Sequence, residues 1–203
     1  MRLTDTQILI FAKSPIPGQV KTRLIPSLSA EEACDLHKQL VHRTLSTAVN
    51  AALCPVELWC TPTKSHPFFS ECAQRYSVSL HLQNGETLGH RMKNAIDETL
   101  SNNKKALLIG CDCPVLTSKT LSEAINRLDS DCDVVISPAE DGGYILLGMQ
   151  RSINCIFDDI SWGSNQVLAQ TRERLKQKNI AWQEMETLWD LDRPIDLERY
   201  YAL

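Results

Sequence analysis

Two short, unbroken apolar runs constrain this chain more than any other feature. Ile8-Leu9-Ile10-Phe11-Ala12 and Ala106-Leu107-Leu108-Ile109 are of strand length, and each gives way to a loop of Gly, Pro and charged residues. Such runs lack polar alternation, which predicts strands covered on both faces. Helical patterns separate them, so strand and helix alternate along the chain. That order predicts an α/β protein: a three-layer α/β/α, Rossmann-like architecture around a mostly parallel mixed sheet.

The remaining elements fit this frame. Ser29-Ala30-Glu31-Glu32 has capping-box spacing. Ala33, Leu36, Leu40, Thr44 and Ala48 then recur with helical period over about five turns. Strands are expected at Val56–Trp59, at Val78–Leu82 (alternating, hence half exposed), at Val134–Ile136, at Tyr144–Leu147 and near Ile180–Gln183. Helices are expected around Leu88–Ile96, Leu121–Leu128 and Ser164–Lys178, with a last one opening at Pro194. No repeat or long linker divides the chain, so residues 1–203 are expected to form one domain.

Composition excludes several classes. A net charge of −4 argues against a broad nucleic-acid face, although a local basic pocket is compatible with it. No apolar run approaches the roughly 18 residues of a membrane span, and no signal-like N-terminus is visible, so a soluble, cytoplasmic protein is expected. The eight cysteines are scattered apart from Cys111-x-Cys113. With no C-x-x-C pair, reduced and mostly buried thiols are expected rather than zinc ligands or disulfides.

In a parallel sheet, ligands bind beyond the carboxyl ends of the strands. The unusual residues fall in those loops. Lys13, Lys21 and Arg23 lie within eleven residues, with Gly18 between them permitting close backbone approach. This arrangement reads either as a phosphate grip or as a solvated surface loop. Asp112, after the second buried run, is placed to hold a divalent cation or to cap a turn. Glu140-Asp141-Gly142-Gly143-Tyr144 reads as a plain hairpin turn or as a contact for a hydroxylated substrate. Asn84-Gly85-Glu86-Thr87-Leu88-Gly89 opens a helix, most simply as a turn and cap. Ser164, after Ser161-Trp162-Gly163, suits an N-cap, or the helix start there binds an anion. Asp190 and Asp192 precede the Pro194 helix, where acids complement the dipole. A divalent ion needs more than one carboxylate or phosphate, which gives Asp192 a second meaning beside Asp112. None of the five histidines is assigned to catalysis.

Taken together, these motifs resemble a known family. Lys21-Thr22-Arg23-Leu24, Gly110-Cys111-Asp112-Cys113-Pro114, Asp141-Gly142-Gly143-Tyr144, Ser161-Trp162-Gly163-Ser164 and Asp190-Leu191-Asp192-Arg193-Pro194-Ile195-Asp196-Leu197 occur in the order seen in the DUF2064 group. That group, often labelled glycosyltransferase or radical-SAM/selenodomain-associated transferase, belongs to the nucleotide-diphospho-sugar transferases. The first loop is also similar to that of the phospholactate guanylyltransferases, and the closing acidic motif to that of several nucleotidyltransferases. The resemblance implies the glycosyltransferase-A fold and a nucleotide-dependent transferase.

By the same resemblance, Asp112 and Asp192 hold Mg²⁺ or Mn²⁺. Lys13, Gly18, Lys21, Arg23, Gln83, Gly85 and Gly89 bind the nucleotide. Asp141, Gly142, Tyr144, Trp162 and Ser164 face the acceptor, with Lys21, Arg23 and Asp141 carrying the catalysis. The partners expected are a nucleotide or nucleotide-sugar and a small-molecule acceptor. An NDP-sugar-dependent glycosyltransferase is the first reading and a nucleotidyltransferase releasing pyrophosphate the second. A nucleotide-binding protein without turnover is the third. The chain departs from the sugar-nucleotide pyrophosphorylases in having Pro15 and Pro17 where they carry Gly-x-Gly. It departs from common glycosyltransferases in having one acid, not two, at Gly110–Cys113.

Overall fold

A computed structural model describes residues 5–130 and 132–203. The elements run β1 (Thr6–Lys13), α1 (Ala30–Asn50), β2 (Val56–Thr61), α2 (Pro67–Tyr76), β3 (Ser79–Leu82), α3 (Leu88–Leu100), β4 (Lys105–Ile109), α4 (Ser118–Leu128), β5 (Val134–Pro138), β6 (Tyr144–Met149), α5 (Val167–Gln177), β7 (Trp182–Glu184) and α6 (Pro194–Tyr201). Short 3₁₀ turns at Thr22–Leu24 and Asn154–Ile156 complete the set. The strands form one sheet in the order β3-β2-β1-β4-β6-β5-β7. All run parallel except β6, which is antiparallel to both its neighbours.

Strand geometry divides the apolar residues between two helical layers. Successive side chains point to opposite faces. Ile8 and Ile10 of β1, Leu58 of β2 and Leu107 and Ile109 of β4 pack with α1, α2 and α4 through Leu45, Phe69 and Ile125. Leu9, Trp59 and Leu108 point the other way, onto Met92 and Ile96 of α3 and Leu168 and Leu175 of α5. The three-layer mixed-sheet expectation is met. Both continuous apolar runs are central strands, buried on both sides.

A smaller third cluster matters for the site. Leu24 from the 3₁₀ turn, Leu36 and Leu40 from α1, Trp189 and Leu191 from the segment after β7, and Leu197 from α6 bury one another. Leu24 and Leu191 are fully buried. Each such side chain contributes roughly 1.5–3 kcal/mol. That is comparable with the roughly 1–2 kcal/mol per residue that ordering a short turn costs. The loops beyond the sheet are therefore held by a core of their own.

Two local expectations need correction. The sequence reading contains no helix at Pro67–Tyr76, although Pro67 stands at its first turn and Phe68, Phe69 and Cys72 are buried with helical spacing. α5 begins at Val167, so Ser164 is not its N-cap. Ser164 instead closes a preceding turn, its Oγ donating to the Ser161 carbonyl and accepting from the Gln166 N–H. β3 is half exposed as expected, open at both ends and partly covered between, because it forms an edge of the sheet. Likewise, the capping box at Ser29 is formed in full, with Ser29 Oγ accepting from the Glu32 N–H and Glu32 Oε2 from the Ser29 N–H. Seven of the eight cysteines are buried and Cys155 is partly so. Among the described residues, no helix is long and apolar enough to cross a membrane.

Candidate functional site

Because six strands run the same way, their carboxyl ends and the loops that follow share one edge of the sheet. A cavity of about 400 Å³ opens there. β1 contributes Lys13, β2 Thr61, the residue after β3 is Gln83, β4 is followed by Asp112, β5 by Asp141, and the segment after β7 brings Asp190. The strand order sorts their charges. Cations come from the β1–β2–β3 half, where Lys13 is joined by Arg91 of α3, and acids from the β5–β7 half. Asp112, after the central β4, stands between them.

The residues from the first loop and the last motif interlock. Lys21 adopts a left-handed backbone (φ 49°) and opens the 3₁₀ turn whose Leu24 is anchored in the third cluster. Its ammonium donates to Asp112 Oδ1 at 2.6 Å and to the Leu191 carbonyl at 2.5 Å, with the side chain 4% exposed. Two residues on, the Arg23 guanidinium donates to Asp192 Oδ2 at 2.5 Å. The Leu191 N–H donates to the Asp112 carbonyl at 2.8 Å, which ties the loop after β4 to the acidic motif. Lys21, Arg23, Asp112 and Asp192, far apart in sequence, thus form one connected set.

Electrostatics follow from this packing. Desolvation pushes the Asp112 carboxyl up, but the charge and hydrogen bond of Lys21, helped by His37, leave it below the usual carboxylate value. The Arg23 guanidinium is raised by its hydrogen bond to Asp192 and by the charge of the same carboxylate. Asp190 lacks such a partner. Burial, then the charge of Asp141, with smaller contributions from Asp112 and Asp192, raise it to about 6. Asp190 is a cavity residue missing from the sequence-based site. The signal was present: in an extended segment, residues two apart share a side. The fully buried Leu191 points into the core and leaves Asp190 and Asp192 facing outward. Arg91, which donates to Thr61 Oγ1, and the buried His37, whose Nε2 lies 2.9 Å from the Lys13 carbonyl, are two further polar cavity residues that sequence reasoning left out.

The other expected site residues divide into two groups. Lys13, Arg23, Gln83, Asp112, Asp141, Tyr144, Trp162 and Ser164 line the cavity. Gln83 is fixed there, its Nε2 donating to the Trp59 carbonyl at 2.8 Å and, more weakly, to that of Ala12. Lys13 is tied back to the Gln19 carbonyl. Tyr144 offers the wall its ring, since its hydroxyl is buried beside Thr171 and burial raises the phenol. Gly18, Lys21, Gly85, Gly89, Gly142 and Asp192 are not among the cavity's lining residues. Gly89 supports the wall: the Trp162 indole packs so closely that a β-carbon at Gly89 would lie 2.3 Å from Nε1. Trp162 also stacks on Phe157 and meets Tyr144 edge to face. Gly142 has a φ of +90° and sits against the Asn165 backbone, which only glycine allows. A β-carbon at Gly18 would meet nothing within 4 Å, so its φ of +75°, not close packing, is what favours glycine there.

Among the described residues, no three His, Cys, Asp or Glu side chains converge as a ready-made metal centre. The donors at Lys21 are nonetheless informative. Its ammonium already occupies a position between two oxygens, a carboxylate of Asp112 and the peptide carbonyl of Leu191, the residue before Asp192. An all-oxygen set of this kind suits a hard divalent cation such as Mg²⁺, which completes its shell with water and phosphate.

Comparison with known proteins agrees with this geometry. A protein from Desulfovibrio desulfuricans G20, provisionally named a nucleotide-diphospho-sugar transferase, superposes with a TM-score of 0.89 at 27% identity, over 98% of this chain and 87% of its own. CMP:2-keto-3-deoxy-manno-octonic acid synthetase, in a complex with CTP, superposes with a TM-score of 0.61 at 12% identity, covering 98% of both chains. A 4-diphosphocytidyl-2C-methyl-D-erythritol synthase from Anaerococcus prevotii DSM 20548 gives 0.61 at 8% identity, over 98% of this chain and 94% of its own. The fold is thus that of the nucleotide-diphospho-sugar transferases. No curated protein sequence matches the chain. The profile of the family described as "Uncharacterized protein conserved in bacteria (DUF2064)" matches residues 44–164, more than half of the chain, and the protein belongs to that family.

Proposed function

We propose that the protein is a nucleotide-dependent transferase that moves a glycosyl group from a nucleoside-diphosphate sugar to a hydroxylated small molecule. One observation carries this reading: the cavity has a cationic side (Lys13, Arg91) and an acidic side (Asp141, Asp190), with Arg23 set against the acids. A ligand that satisfies both has an anionic diphosphate at one end and neutral hydroxyl groups at the other. Two carboxylates repel a phosphorylated acceptor but accept hydrogen bonds from hydroxyl groups. The close relation to the Desulfovibrio protein supports the same reading.

In this mechanism Lys21 and Arg23 stabilise charge on the departing diphosphate. Asp112 and Asp192 would hold Mg²⁺ or Mn²⁺, which when bound supplies Lewis-acid stabilisation of that same leaving group. Asp141 orients the acceptor. Its Oδ1 is engaged by the Gly143 N–H, which fixes the carboxylate and leaves Oδ2 for the acceptor hydroxyl. As the acceptor oxygen bonds to the anomeric carbon, the bond to the diphosphate oxygen breaks, Asp141 takes the hydroxyl proton and the nucleoside diphosphate leaves. Trp162 and the Tyr144 ring form an apolar wall for the sugar face.

A second reading, nucleotidyl transfer from an NTP with pyrophosphate release, is favoured by the paired cations of the first loop and by the cytidylyl-transferring proteins that share the fold. Titration with a panel of NDP-sugars and NTPs, with and without Mn²⁺, followed by product analysis, separates the two. Free nucleoside diphosphate supports glycosyl transfer, and pyrophosphate supports nucleotidyl transfer. Failure of every nucleotide to bind overturns both.

A further inference from the structure

We propose that the cleft takes its divalent cation only together with the nucleotide, as a metal–nucleotide chelate, because Lys21 and Arg23 occupy the two carboxylate seats until phosphate draws them off. This inference rests on the nucleotide-dependent reading above and concerns the form in which the substrate enters. Its starting point is the pairing at the site. Lys21 is bonded to Asp112 at 2.6 Å and to the Leu191 carbonyl at 2.5 Å, and Arg23 to Asp192 at 2.5 Å. Both carboxylates proposed for the metal are already neutralised by cations of the protein.

The geometry makes these pairs a lock rather than a passing contact. The Lys21 side chain is 4% exposed and its backbone is held left-handed at the head of the 3₁₀ turn. Leu24 anchors that turn against Leu191, the residue before Asp192. The Leu191–Asp112 backbone hydrogen bond holds the acids in register with each other. A bare divalent cation arriving here meets an ammonium and a guanidinium, and displacing either leaves that cation without a partner. The protein also supplies too few ligands alone, since no three acidic, histidine or cysteine side chains converge among the described residues.

A nucleotide diphosphate removes both obstacles at once. Its oxygens accept Lys21 and Arg23, which are two residues apart on one turn and so move onto one phosphate chain together. The freed Asp112 and Asp192 carboxylates then face the cation, whose remaining positions the phosphates fill. No charge is left without a partner: there are two Asp–cation pairs before, and two phosphate–cation pairs plus metal–carboxylate bonds after. Lys21 therefore has opposite effects on the two ligands, opposing free metal and favouring the nucleotide.

The test is Mn²⁺ binding followed by the electron paramagnetic resonance signal of free Mn²⁺, with no turnover required. Wild-type protein is expected to bind Mn²⁺ at least about tenfold more weakly alone than with nucleoside diphosphates, an ordinary coupling between two ligands. Lys21→Met is expected to raise nucleotide-free Mn²⁺ affinity by about tenfold while lowering affinity for UDP, CDP, GDP or ADP. Arg23→Met repeats the measurement at a side chain 58% exposed, where loss of folding is not a concern. Unchanged or lower Mn²⁺ affinity in both variants overturns the proposal, as does wild-type Mn²⁺ binding that ignores nucleotide. If no nucleoside diphosphate or triphosphate binds, the functional reading fails. The nucleotide-free comparison of variants then still decides whether Lys21 and Arg23 guard a cation seat.

Discussion

The Leu191 N–H reaches the carbonyl of Asp112 across 2.8 Å, joining two segments almost eighty residues apart in the chain. Through it the loop after β4 and the acidic motif after β7 move as one piece, and Lys21 closes the triangle from the first loop. Asp112→Asn removes the charge from the centre of this arrangement while keeping its shape. Transfer is expected to fall at least about 100-fold, the ordinary loss when one charge-stabilising group is removed. Melting temperature is expected to fall modestly, because the buried Lys21 ammonium loses its countercharge while the amide oxygen still accepts its hydrogen bond. Wild-type rates of product release in Asp112→Asn exclude a catalytic role for it.

Gly89 and Trp162 share a contact with no room for a methyl group. Gly89→Ala therefore displaces the indole, and overpacking of this kind costs about 1–3 kcal/mol. Because Trp162 lines the cavity, the Michaelis constant should rise as well. The double variant Gly89→Ala/Trp162→Phe has space for the new methyl and should recover part of the stability lost. Urea denaturation of the three proteins checks this, and equal stability of all three refutes the steric account.

Ser29 caps the long helix α1 through both halves of its capping box. Ser29→Ala leaves the Glu32 N–H without its partner and should cost about 1 kcal/mol. Loss is expected in equilibrium stability, with nucleotide affinity unchanged, since the cap lies away from the cavity.

Burial holds the His37 imidazole below its usual pKa, Lys21 and Lys13 acting in the same direction and Asp112 and the Lys13 carbonyl against it. The unfolded chain takes up this proton near pH 6.5 and the folded chain only at lower pH. Between those values the unfolded state binds more protons, so His37 supports stability fully above pH 6.5 and less as pH falls. Asp190 acts oppositely, because its raised pKa of about 6 lets the folded state bind a proton first. The His37→Gln variant isolates the first effect. Its stability should fall less between pH 7 and pH 5 than that of wild type, and equal slopes would show that His37 does not titrate as placed.

Much of this fold could be read in the sequence because a buried parallel strand needs little beyond local chemistry. Ile8–Ala12 and Ala106–Ile109 are apolar without alternation, and only a strand covered on both faces accommodates that. α2 escaped notice because it is short and mixed, and its assignment depends on packing of Phe69 and Cys72 against distant strands. The hairpin reading of Asp141-Gly142-Gly143 is met, as β5 and β6 are antiparallel neighbours, and the same turn also faces the cavity. Residue types and loop positions announced Lys21, Arg23, Asp112 and Asp192. Their pairing depends on three loops meeting, which sequence spacing does not encode. Asp190 was passed over for a related reason, since its lack of a cation is visible only once Lys21 and Arg23 are seen committed elsewhere.

The lone antiparallel strand has a consequence for how such a protein can diversify. β6 returns toward its predecessor through a tight turn, so the acidic wall rests on a hairpin tip rather than on a crossover helix. Residues inserted at that tip lengthen one rim of the hollow without disturbing either helical layer or the lysine–arginine turn opposite. Under the glycosyl transfer proposed above, recipient choice can therefore drift between relatives while the grip on the donor stays put.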